Sequence, residues 1–301
     1  MEHVTLRIQL MDFHNESLFE QIHSLQVKSF GSFSASLLKN ILIDGHSQTV
    51  VFGAFSIDDN KLVGVNGFTA HSVHRSGEVG TAYQSCISAT DPDYRGKGTF
   101  SAIINHAKRA LSDAGGAFIF GYPNTKSGPI FTGKLGFSLA DAGVVYLGGI
   151  WGHQLPFLHF DVNKLSSLLA LNRLVQFSAR ETAIWKAKFV DRQRLFEMDL
   201  FTNYAFGRLH VRSIGPFNIR ILTLGGYEIN KPEIFSSLLL RLGKRAGADL
   251  IRVVTQAHVP LFNASYKSRI TKTSEPLIVF PLNWNVLAGD VDACTGLKDV
   301  Y

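Results

Sequence analysis

The sequence predicts an α/β (α+β) fold in which a mixed, mostly antiparallel and splayed sheet is flanked by helices. Three observations support this prediction: alternating apolar runs separated by hairpin-type turns, amphipathic stretches at helical spacing between later strand-like runs, and the order strand–helix–strand in each half of the chain. A length of 301 residues is typical of two domains, and we expect them over residues 1–150 and 151–301.

The first half contains strands joined by tight turns, and helices that begin at capping residues. The Asn-Glu-Ser sequence from Asn15 predicts a helix start, and the turns at 58–60 and 75–77 predict antiparallel neighbours. The predicted elements are, in chain order, a strand over 4–10, helices over 15–28 and 34–43, strands over 50–57, 61–71 and 78–89, a helix over 100–111, a strand over 117–120, a helix over 127–134 and a strand over 144–150.

The second half repeats the order strand–helix–strand after a helix-rich stretch over 162–191. The pattern predicts a strand over 217–224, a helix over 231–246 and a strand over 249–255. This helix and the one over 100–111 both begin with Phe-Ser and both carry a basic pair. A divergent repeat explains these similarities, and chance likeness between two amphipathic helices is the alternative.

Composition excludes several classes of protein. With 46% hydrophobic and 18% charged residues, the chain has ample apolar material for a core and is not globally disordered. Its two cysteines, Cys86 and Cys294, cannot form a disulfide framework, and no spacing of Cys and His predicts a metal site. The first residues lack the pattern of a signal peptide, and no apolar run reaches the ~18 residues of a membrane span. We therefore expect a cytoplasmic protein without a metal.

The net charge of +6 is unevenly distributed along the chain. Residues 1–150 carry 11 basic and 12 acidic side chains, whereas residues 151–301 carry 19 and 12, so the whole positive excess lies in the second half. Such a bias favours an anionic partner, such as a nucleic acid, an anionic surface or a phosphorylated small molecule. A solvated basic surface is the alternative.

The sharpest motif is the loop Asp91-Pro-Asp-Tyr-Arg-Gly-Lys-Gly-Thr99, between a predicted strand and a predicted helix. Gly96 and Gly98 allow a tight turn in which successive N–H groups point into one concavity. The positive end of the following helix, together with Arg95 and Lys97, makes this loop suitable for a pyrophosphate. It is neither a Walker A loop nor the dinucleotide-binding GxGxxG motif.

The loop and the segment that follows it resemble the acyl-CoA site of GNAT acetyltransferases. Gly96 and Gly98 match the last two glycine positions of the family motif Arg/Gln-x-x-Gly-x-Gly/Ala, although Asp93 occupies the position of its first residue. The family often carries an asparagine after the next strand and a helix ending in Lys-x-Gly-Phe, which correspond here to Asn124 and Lys134-Leu-Gly-Phe137. Together with the repeated strand–helix–strand order, the resemblance implies two tandem GNAT-like domains. The second domain is expected to be degenerate, because it lacks the coenzyme loop.

The resemblance implies coenzyme-binding positions around the gap between the strands over 78–90 and 117–120. The pyrophosphate of acyl-CoA is expected on the main-chain amides of the loop, and the pantetheine arm along the edge of the first of these strands. Two polar side chains after the second strand are expected at the thiol end. These coenzyme positions are Ser88, Ala89, Thr90, Arg95, Gly96, Lys97, Gly98, Thr99, Asn124 and Ser127.

The implied chemistry is direct attack of an amine on the thioester, with main-chain N–H groups stabilising the oxyanion. Many relatives use a tyrosine as the acid that protonates the thiolate, but Phe131 stands at that position here. Tyr122 is our candidate for that acid, and Glu78 and His71 are our candidates for the base. His74 is the other histidine nearby, but at a spacing of three residues on a strand at most one of the two histidines faces the site. Tyr83 or a water molecule are alternatives for the acid. Cys86 is expected to be a small buried residue rather than a nucleophile.

The whole chain resembles the GNAT branch that acylates nucleotide-linked amino sugars of surface polysaccharides, with a dTDP- or UDP-linked acceptor. The basic second half agrees with a phosphate-bearing acceptor, whereas a cationic antibiotic or polyamine would favour an acidic one. The arginines of the second half are dispersed, which argues against nucleic acid. Another amine, or a role in CoA binding without turnover, stays open as an alternative.

Overall fold

The computed structural model describes residues 5–44, 49–148, 174–177, 195–214, 216–255 and 275–291. Its described residues form two compact units. The first comprises residues 1–73, 78–139 and 278–288, and the second comprises residues 74–77, 140–277 and 289–301. The chain passes from the first unit to the second after residue 139, and the segment over 278–288 belongs to the first unit. The helix-rich stretch predicted over 162–191 lies outside the described residues.

The first unit is a mixed sheet with the strand order β1-β2-β3-β4-β5-β12. β1 pairs with β2 and β2 with β3 in antiparallel fashion, β4 and β5 are parallel, and β12 is antiparallel to β5. Its strands are β1 (Leu6–Leu10), β2 (Thr49–Ser56), β3 (Leu62–Arg75), β4 (Glu78–Thr90), β5 (Phe118–Gly121) and β12 (Glu275–Pro281). Its helices are α1 (Glu16–Phe30), α2 (Ala35–Lys39), α3 (Thr99–Asp113) and α4 (Gly128–Gly133).

Helices cover both faces of this sheet, so the unit has two cores. On one face, α1 and α2 bury Ile22 and Leu38 against β2, β3 and β4. On the other face, α3 buries the stripe predicted from the sequence, which includes Ile103, Ile104 and Leu111. α1 begins where its sequence predicts, since the Asn15 side chain accepts a hydrogen bond from the Leu18 amide over 3.2 Å.

The second unit contains the strand order β6-β11-β10-β9-β8 and one described helix that packs on it. β10 and β11 are parallel and joined by the helix α5, as β4 and β5 are joined by α3, so the predicted repeat of strand–helix–strand is confirmed. Its elements are β6 (Ser138–Gly148), β8 (Leu195–Leu200), β9 (Asn203–Ile214), β10 (Phe217–Glu228), α5 (Pro232–Ala246) and β11 (Leu250–Thr255), with the short strand β7 at Gln176–Phe177.

Candidate active site

The loop between β4 and α3 has the backbone that its glycines predict. After a single 3-10 turn over Pro92–Tyr94, Gly96 and Gly98 adopt φ angles of 75° and 84°. Gly98 is the N-cap of α3, and no side chain caps the helix. The first intrahelical bond runs from the Ala102 N–H to the Gly98 carbonyl over 2.9 Å. The N–H groups that precede it are therefore available to an anion at the positive end of α3.

The loop is anchored by a buried carboxylate at its first residue. The Asp91 side chain is fully buried and accepts from Lys28 Nζ over 2.7 Å and from Lys61 Nζ over 2.9 Å. Burial opposes the charge of this carboxylate, but the hydrogen bonds from Lys28 and Lys61 outweigh it and lower its pKa to about 2. Asp93, at the position where the family motif has Arg or Gln, is exposed and pairs with Lys28 over 2.8 Å.

The loop's basic side chains have different surroundings. The Arg95 guanidinium donates to the carbonyls of Ser29, over 2.9 Å, and Thr90, over 3.3 Å, and the Arg95 amide donates to Pro92. Arg95 thus ties the loop to α1 and β4. Lys97 is exposed, with its Nζ 5.3 Å from the Tyr94 ring centroid.

The other loop residue expected to contact the coenzyme, Thr99, is buried. Its Oγ1 donates to the Tyr94 carbonyl over 3.3 Å, so this side chain holds the loop against the start of α3. The main-chain N–H of Thr99 nevertheless belongs to the open end of the helix.

β4 and β5 are paired over a short stretch only. The register joins Ala82 to Phe118 and Gln84 to Phe120, and among the described residues it extends no further. β5 ends at Gly121, whereas β4 continues to Thr90. The last part of β4 therefore offers a main-chain edge to an extended ligand, as expected for a pantetheine arm.

The expected pantetheine positions are the last three residues of this edge. The Ser88 hydroxyl donates to Asn66 Oδ1 on β3, and Ala89 is buried. The Thr90 carbonyl accepts from Ser29 Oγ over 3.2 Å and from Arg95, so this carbonyl is already engaged by the protein.

A side chain that the sequence did not single out holds the backbone at this edge. Ile87 has a φ angle of 43°, which is an outlier for a β-branched residue. Gln26, on α1 and 1% exposed, donates from Nε2 to the Ile87 carbonyl over 2.6 Å. The two residues are 61 positions apart, so no local pattern predicts the contact. Strain of this kind is concentrated at functional sites.

The segment after β5 forms a turn through side chains expected to touch the coenzyme. Asn124 Oδ1 accepts from the amides of Lys126 and Ser127, both over 2.9 Å, and Ser127 Oγ accepts from the Asn124 amide over 3.1 Å. The turn explains Asn124 without a ligand. Tyr122, half-buried, directly follows the end of β5. Phe131 is 4% exposed and packs edge-to-face on Phe100 at 5.3 Å, so it belongs to the core.

The two expected bases lie at different places. Glu78 is exposed at the start of β4, at the opposite end of the strand from the coenzyme loop. His71 lies beside the last paired residues of β4 and β5, with Nε2 3.1 Å from Gln84 Oε1 and its ring 5.4 Å from that of Phe120, but it is 2% exposed. The structure therefore does not bring Glu78 to the loop, and His71 is shielded by the core.

The described residues add three further observations. Cys86 is buried as expected, with its Sγ 3.4 Å from Thr69 Oγ1. In the part of the chain that the structure describes, no three His, Cys, Asp or Glu side chains come together to hold a metal ion. Among the described helices, none combines the length and the apolar character needed to cross a membrane.

An uncapped helix behind a double-glycine loop, beside the free edge of a diverging strand pair, is typical of enzymes that transfer acyl groups from acyl-CoA. The family model of the acetyltransferase (GNAT) domain matches residues 12–140. These residues therefore form a GNAT domain, the protein is an acyl-CoA-dependent N-acyltransferase, and the predicted fold is confirmed. No curated protein sequence matches the chain.

Solved structures share the fold over both units. A GCN5-related N-acetyltransferase from Anabaena variabilis is similar with a TM-score of 0.61 at 15% identity, over 92% of this chain and 73% of that one. A GCN5-related N-acetyltransferase from Kribbella flavida is similar with a TM-score of 0.60 at 15% identity, over 92% of this chain and 72% of that one. A probable N-acyltransferase from Enterococcus faecalis is similar with a TM-score of 0.53 at 13% identity, over 92% of this chain and 73% of that one.

Proposed function

We propose that the protein transfers an acyl group from acyl-CoA to the primary amine of a dTDP- or UDP-linked amino sugar, in the cytoplasm, for surface-polysaccharide synthesis. The distribution of charge is the observation that supports this acceptor. The half that carries the coenzyme loop has 11 basic and 12 acidic side chains, so the positive excess lies wholly in the other half. A diphosphate-linked substrate gains from that excess, whereas a polycationic amine is repelled by it.

In this proposal the main chain holds the coenzyme. The N–H groups of Gly96, Lys97, Gly98 and Thr99 bind the pyrophosphate, because Gly96 and Gly98 give the loop its tight turn and α3 adds its positive end. The edge of β4 over Ser88–Thr90, apart from the Thr90 carbonyl that Ser29 and Arg95 already engage, pairs with the pantetheine arm. Asn124 and Ser127 shape the turn at its thiol end.

The bound coenzyme supplies a thioester carbonyl, which the acceptor amine attacks directly. A main-chain N–H at the strained part of β4 around Ile87 stabilises the negative charge that develops on the carbonyl oxygen. The attacking nitrogen loses a proton to water as the tetrahedral intermediate collapses. Tyr122, which directly follows β5 at the end where β4 and β5 diverge, donates a proton to the departing thiolate. Of the catalytic candidates Tyr122, Glu78 and His71, Tyr122 is the one that both lies where β4 and β5 diverge and is partly exposed.

A thermal-shift panel followed by an activity assay tests the acceptor. CoA, dTDP, UDP, spermidine and an aminoglycoside are added singly, and each nucleotide is then added together with CoA. A nucleoside diphosphate at about 100 times its Kd stabilises the folded state by about 2.7 kcal/mol, and a separate site makes this gain additive with that of CoA. Release of free CoA, on mixing acetyl-CoA with a UDP- or dTDP-linked amino sugar, then demonstrates transfer.

The alternatives predict different outcomes. Stabilisation by spermidine or the aminoglycoside, without any response to nucleotides, contradicts the nucleotide-sugar acceptor and indicates acylation of another amine. Binding of CoA without release of free CoA from acetyl-CoA, for any amine in the panel, contradicts the enzyme mechanism altogether.

A further inference from the structure

The part of β4 that extends beyond its pairing with β5 has one apolar side and one side that carries hydroxyl groups. On the apolar side, Cys86, Ile87 and Ala89 are buried in the core that α1 and α2 cover. The other residues of this part are all partly exposed and all carry a hydroxyl group: Ser85, Ser88 and Thr90. A row of hydroxyls therefore lines β4 between its last pairing with β5 and the coenzyme loop.

The strained backbone at Ile87 brings two of these hydroxyls to the same side. On a regular strand, side chains three positions apart point to opposite faces. Here Ile87 has a φ angle of 43°, and both Ile87 and its neighbour Cys86 lie in the core with α1. The alternation is thus shifted by one residue, as in a β-bulge, and Ser85 and Ser88 share the opposite face.

Both serine hydroxyls meet the side chain of Asn66 on β3, which is 0% exposed. Asn66 Nδ2 donates to the Gly67 carbonyl over 3.0 Å. Because a carbonyl only accepts, this contact fixes the orientation of the amide and turns Oδ1 to the hydroxyl of Ser88, which donates to it. Ser85 Oγ lies 3.2 Å from Asn66 Nδ2 and 3.3 Å from Asn66 Oδ1.

This arrangement gives Ser85 a hydrogen that it can donate to a ligand. Asn66 Oδ1 accepts from Ser88, and the second N–H of the amide is directed at Ser85 Oγ. A hydroxyl that accepts from an amide N–H retains its own O–H for another acceptor. Asn66 therefore engages the hydrogen of Ser88 and leaves that of Ser85 for the partly exposed side of β4.

Ser85 lies where β4 and β5 separate. The last pair in their register is Gln84 with Phe120, and a Cβ on Gly121 would lie 3.6 Å from Ser85 Cβ. In the proposed function, the pyrophosphate binds the loop that follows β4 and the pantetheine arm runs back along β4 from Thr90. The thioester at the end of that arm therefore belongs beside Ser85.

We propose that Ser85 is a catalytic residue whose hydroxyl donates a hydrogen bond to the carbonyl oxygen of the thioester, and that Asn66 is the positioning residue that holds Ser85 for this purpose. As the amine attacks, an electron pair of the carbonyl moves onto oxygen, where Ser85 and a main-chain N–H near Ile87 stabilise the charge. The pair then re-forms the carbonyl, and the C–S pair leaves with sulfur. This role rests on the coenzyme position in the proposed function, but not on the identity of the acceptor.

Infrared difference spectroscopy with acetyl-CoA, labelled with carbon-13 at its carbonyl, tests the contact without any acceptor. A hydrogen bond to the carbonyl oxygen weakens the C=O bond and lowers its stretching wavenumber. We therefore expect the band of bound acetyl-CoA to lie at higher wavenumber in Ser85→Ala and in Asn66→Asp than in the unmodified protein. An unchanged band in Ser85→Ala would overturn the role of Ser85, whether or not Asn66→Asp folds.

Ser72→Ala is the matched control for this measurement. Ser72 is a half-buried serine of β3 and, by alternation from Phe68, lies on the same face of the sheet as Asn66. It is placed towards the turn at 75–77, at the far end of the strand from the coenzyme loop. Its replacement should leave the carbonyl band unchanged. An equal shift in Ser72→Ala would show that the band reports a general change of the sheet and would overturn the assignment.

Kinetics of acyl transfer separate the two roles. Ser85→Ala should lower kcat at least about tenfold and leave the KM for acetyl-CoA within about twofold, because the donor acts mainly on the transition state. Aspartate in place of Asn66 presents an oxygen where the amide presents Nδ2, so it draws the hydrogen of Ser85 to itself. Asn66→Asp should thus lower kcat in the unmodified protein, but by no more than about twofold in the Ser85→Ala background. Independent falls that multiply in the double variant would overturn the positioning role.

The role of Ser85 and the proposed acceptor fail in different ways. A shifted carbonyl band in Ser85→Ala, without acyl transfer to any nucleotide-linked amino sugar, would support Ser85 and overturn the acceptor. Transfer to such a sugar by Ser85→Ala at an unchanged rate, with an unchanged carbonyl band, would overturn Ser85 and support the acceptor.

Discussion

Lys28 donates to Asp91 over 2.7 Å and thereby joins the last turn of α1 to the first residue of the coenzyme loop. The other oxygen of Asp91 accepts from Lys61, at the start of β3, over 2.9 Å. The carboxylate is fully buried, whereas the two lysine side chains are 42% and 47% exposed. Three separate parts of the first unit therefore meet at one charge at the first residue of the coenzyme loop.

Asp91→Asn should loosen this loop and destabilise the protein. The pKa of Asp91 falls from 3.8 to about 2 on folding, which corresponds to roughly 2 kcal/mol of stability at neutral pH. Because the pKa is lowered in the folded state, this contribution is complete above about pH 4 and is lost as the pH falls towards 2. Urea unfolding at several pH values should show a difference between the variant and the unmodified protein that shrinks over this range.

Asp93→Asn is the matched control for that variant. Asp93 also pairs with Lys28, but its side chain is 72% exposed, and exposed ion pairs contribute about 0–1 kcal/mol. We expect Asp91→Asn to weaken CoA binding and Asp93→Asn to leave stability almost unchanged. Equal destabilisation by the two substitutions at pH 7 would show that the buried carboxylate does not anchor the loop.

Gly98→Asp should abolish CoA binding while the fold is retained. A Cβ at Gly98 meets no atom of the described residues within 4 Å, so the added carboxylate projects into open space above the start of α3. There the carboxylate repels a pyrophosphate and occupies the position that we assign to the pyrophosphate of CoA. The positive φ of 84° adds a strain of about 1 kcal/mol.

Gly77→Asp introduces the same change elsewhere. Gly77 has a φ of 88°, is equally free of close neighbours in the described structure, and lies in the turn between β3 and β4 at the far end from the loop. Both variants should lose similar stability, and calorimetry should show CoA binding in Gly77→Asp alone. Unchanged CoA affinity in Gly98→Asp would refute the coenzyme loop.

Gln26→Leu should slow acyl transfer through the main chain of β4. The substitution removes the donor to the Ile87 carbonyl and leaves this buried carbonyl without that bond, at a cost of about 1–3 kcal/mol. If the strained backbone at Ile87 positions the oxyanion donor, kcat should fall about tenfold or more with little change in the KM for acetyl-CoA.

Ile22→Val on the same helix separates this effect from a loss of stability. Ile22 is fully buried, and its truncation to valine costs about 0.5–1.5 kcal/mol without removing a polar contact. Assays well below both melting temperatures should show a reduced kcat in Gln26→Leu only. A parallel fall in both variants would mean that Gln26 acts through stability alone.

The parts of the site that are formed by residues close together in the sequence could be predicted from it. Gly96 and Gly98 predict the turn, and the apolar stripe of Ile103, Ile104 and Leu111 predicts the helix that follows it, since both patterns involve residues close in sequence. The contact of Gln26 with Ile87 could not be predicted, because it joins elements 61 residues apart. β12 was missed for a related reason: its strand partner is β5, more than 150 residues earlier in the chain.

The strands β8 and β9 were not predicted, although their local pattern is that of half-buried strands. β9 places Arg208, His210 and Arg212 at alternate positions between apolar residues, and β8 places Glu197 and Asp199 likewise. In the structure these side chains share one face of the sheet, opposite to α5.

Tyr122→Phe should lower kcat about 10- to 100-fold, with the KM for acetyl-CoA nearly unchanged, because the phenol acts on the departing thiolate and not on the bound ground state. Tyr83→Phe is the matched control: Tyr83 lies in the apolar core, where burial raises the pKa of its phenol. The rate is measured with acetyl-CoA and with a thioester whose thiol is more acidic. A more acidic leaving thiol needs less protonation, so the defect of Tyr122→Phe should shrink with it, whereas a purely structural defect would be the same for both thioesters. A constant defect, or an equal one in Tyr83→Phe, would remove Tyr122 as the specific acid and leave Tyr83 or a water molecule in that role.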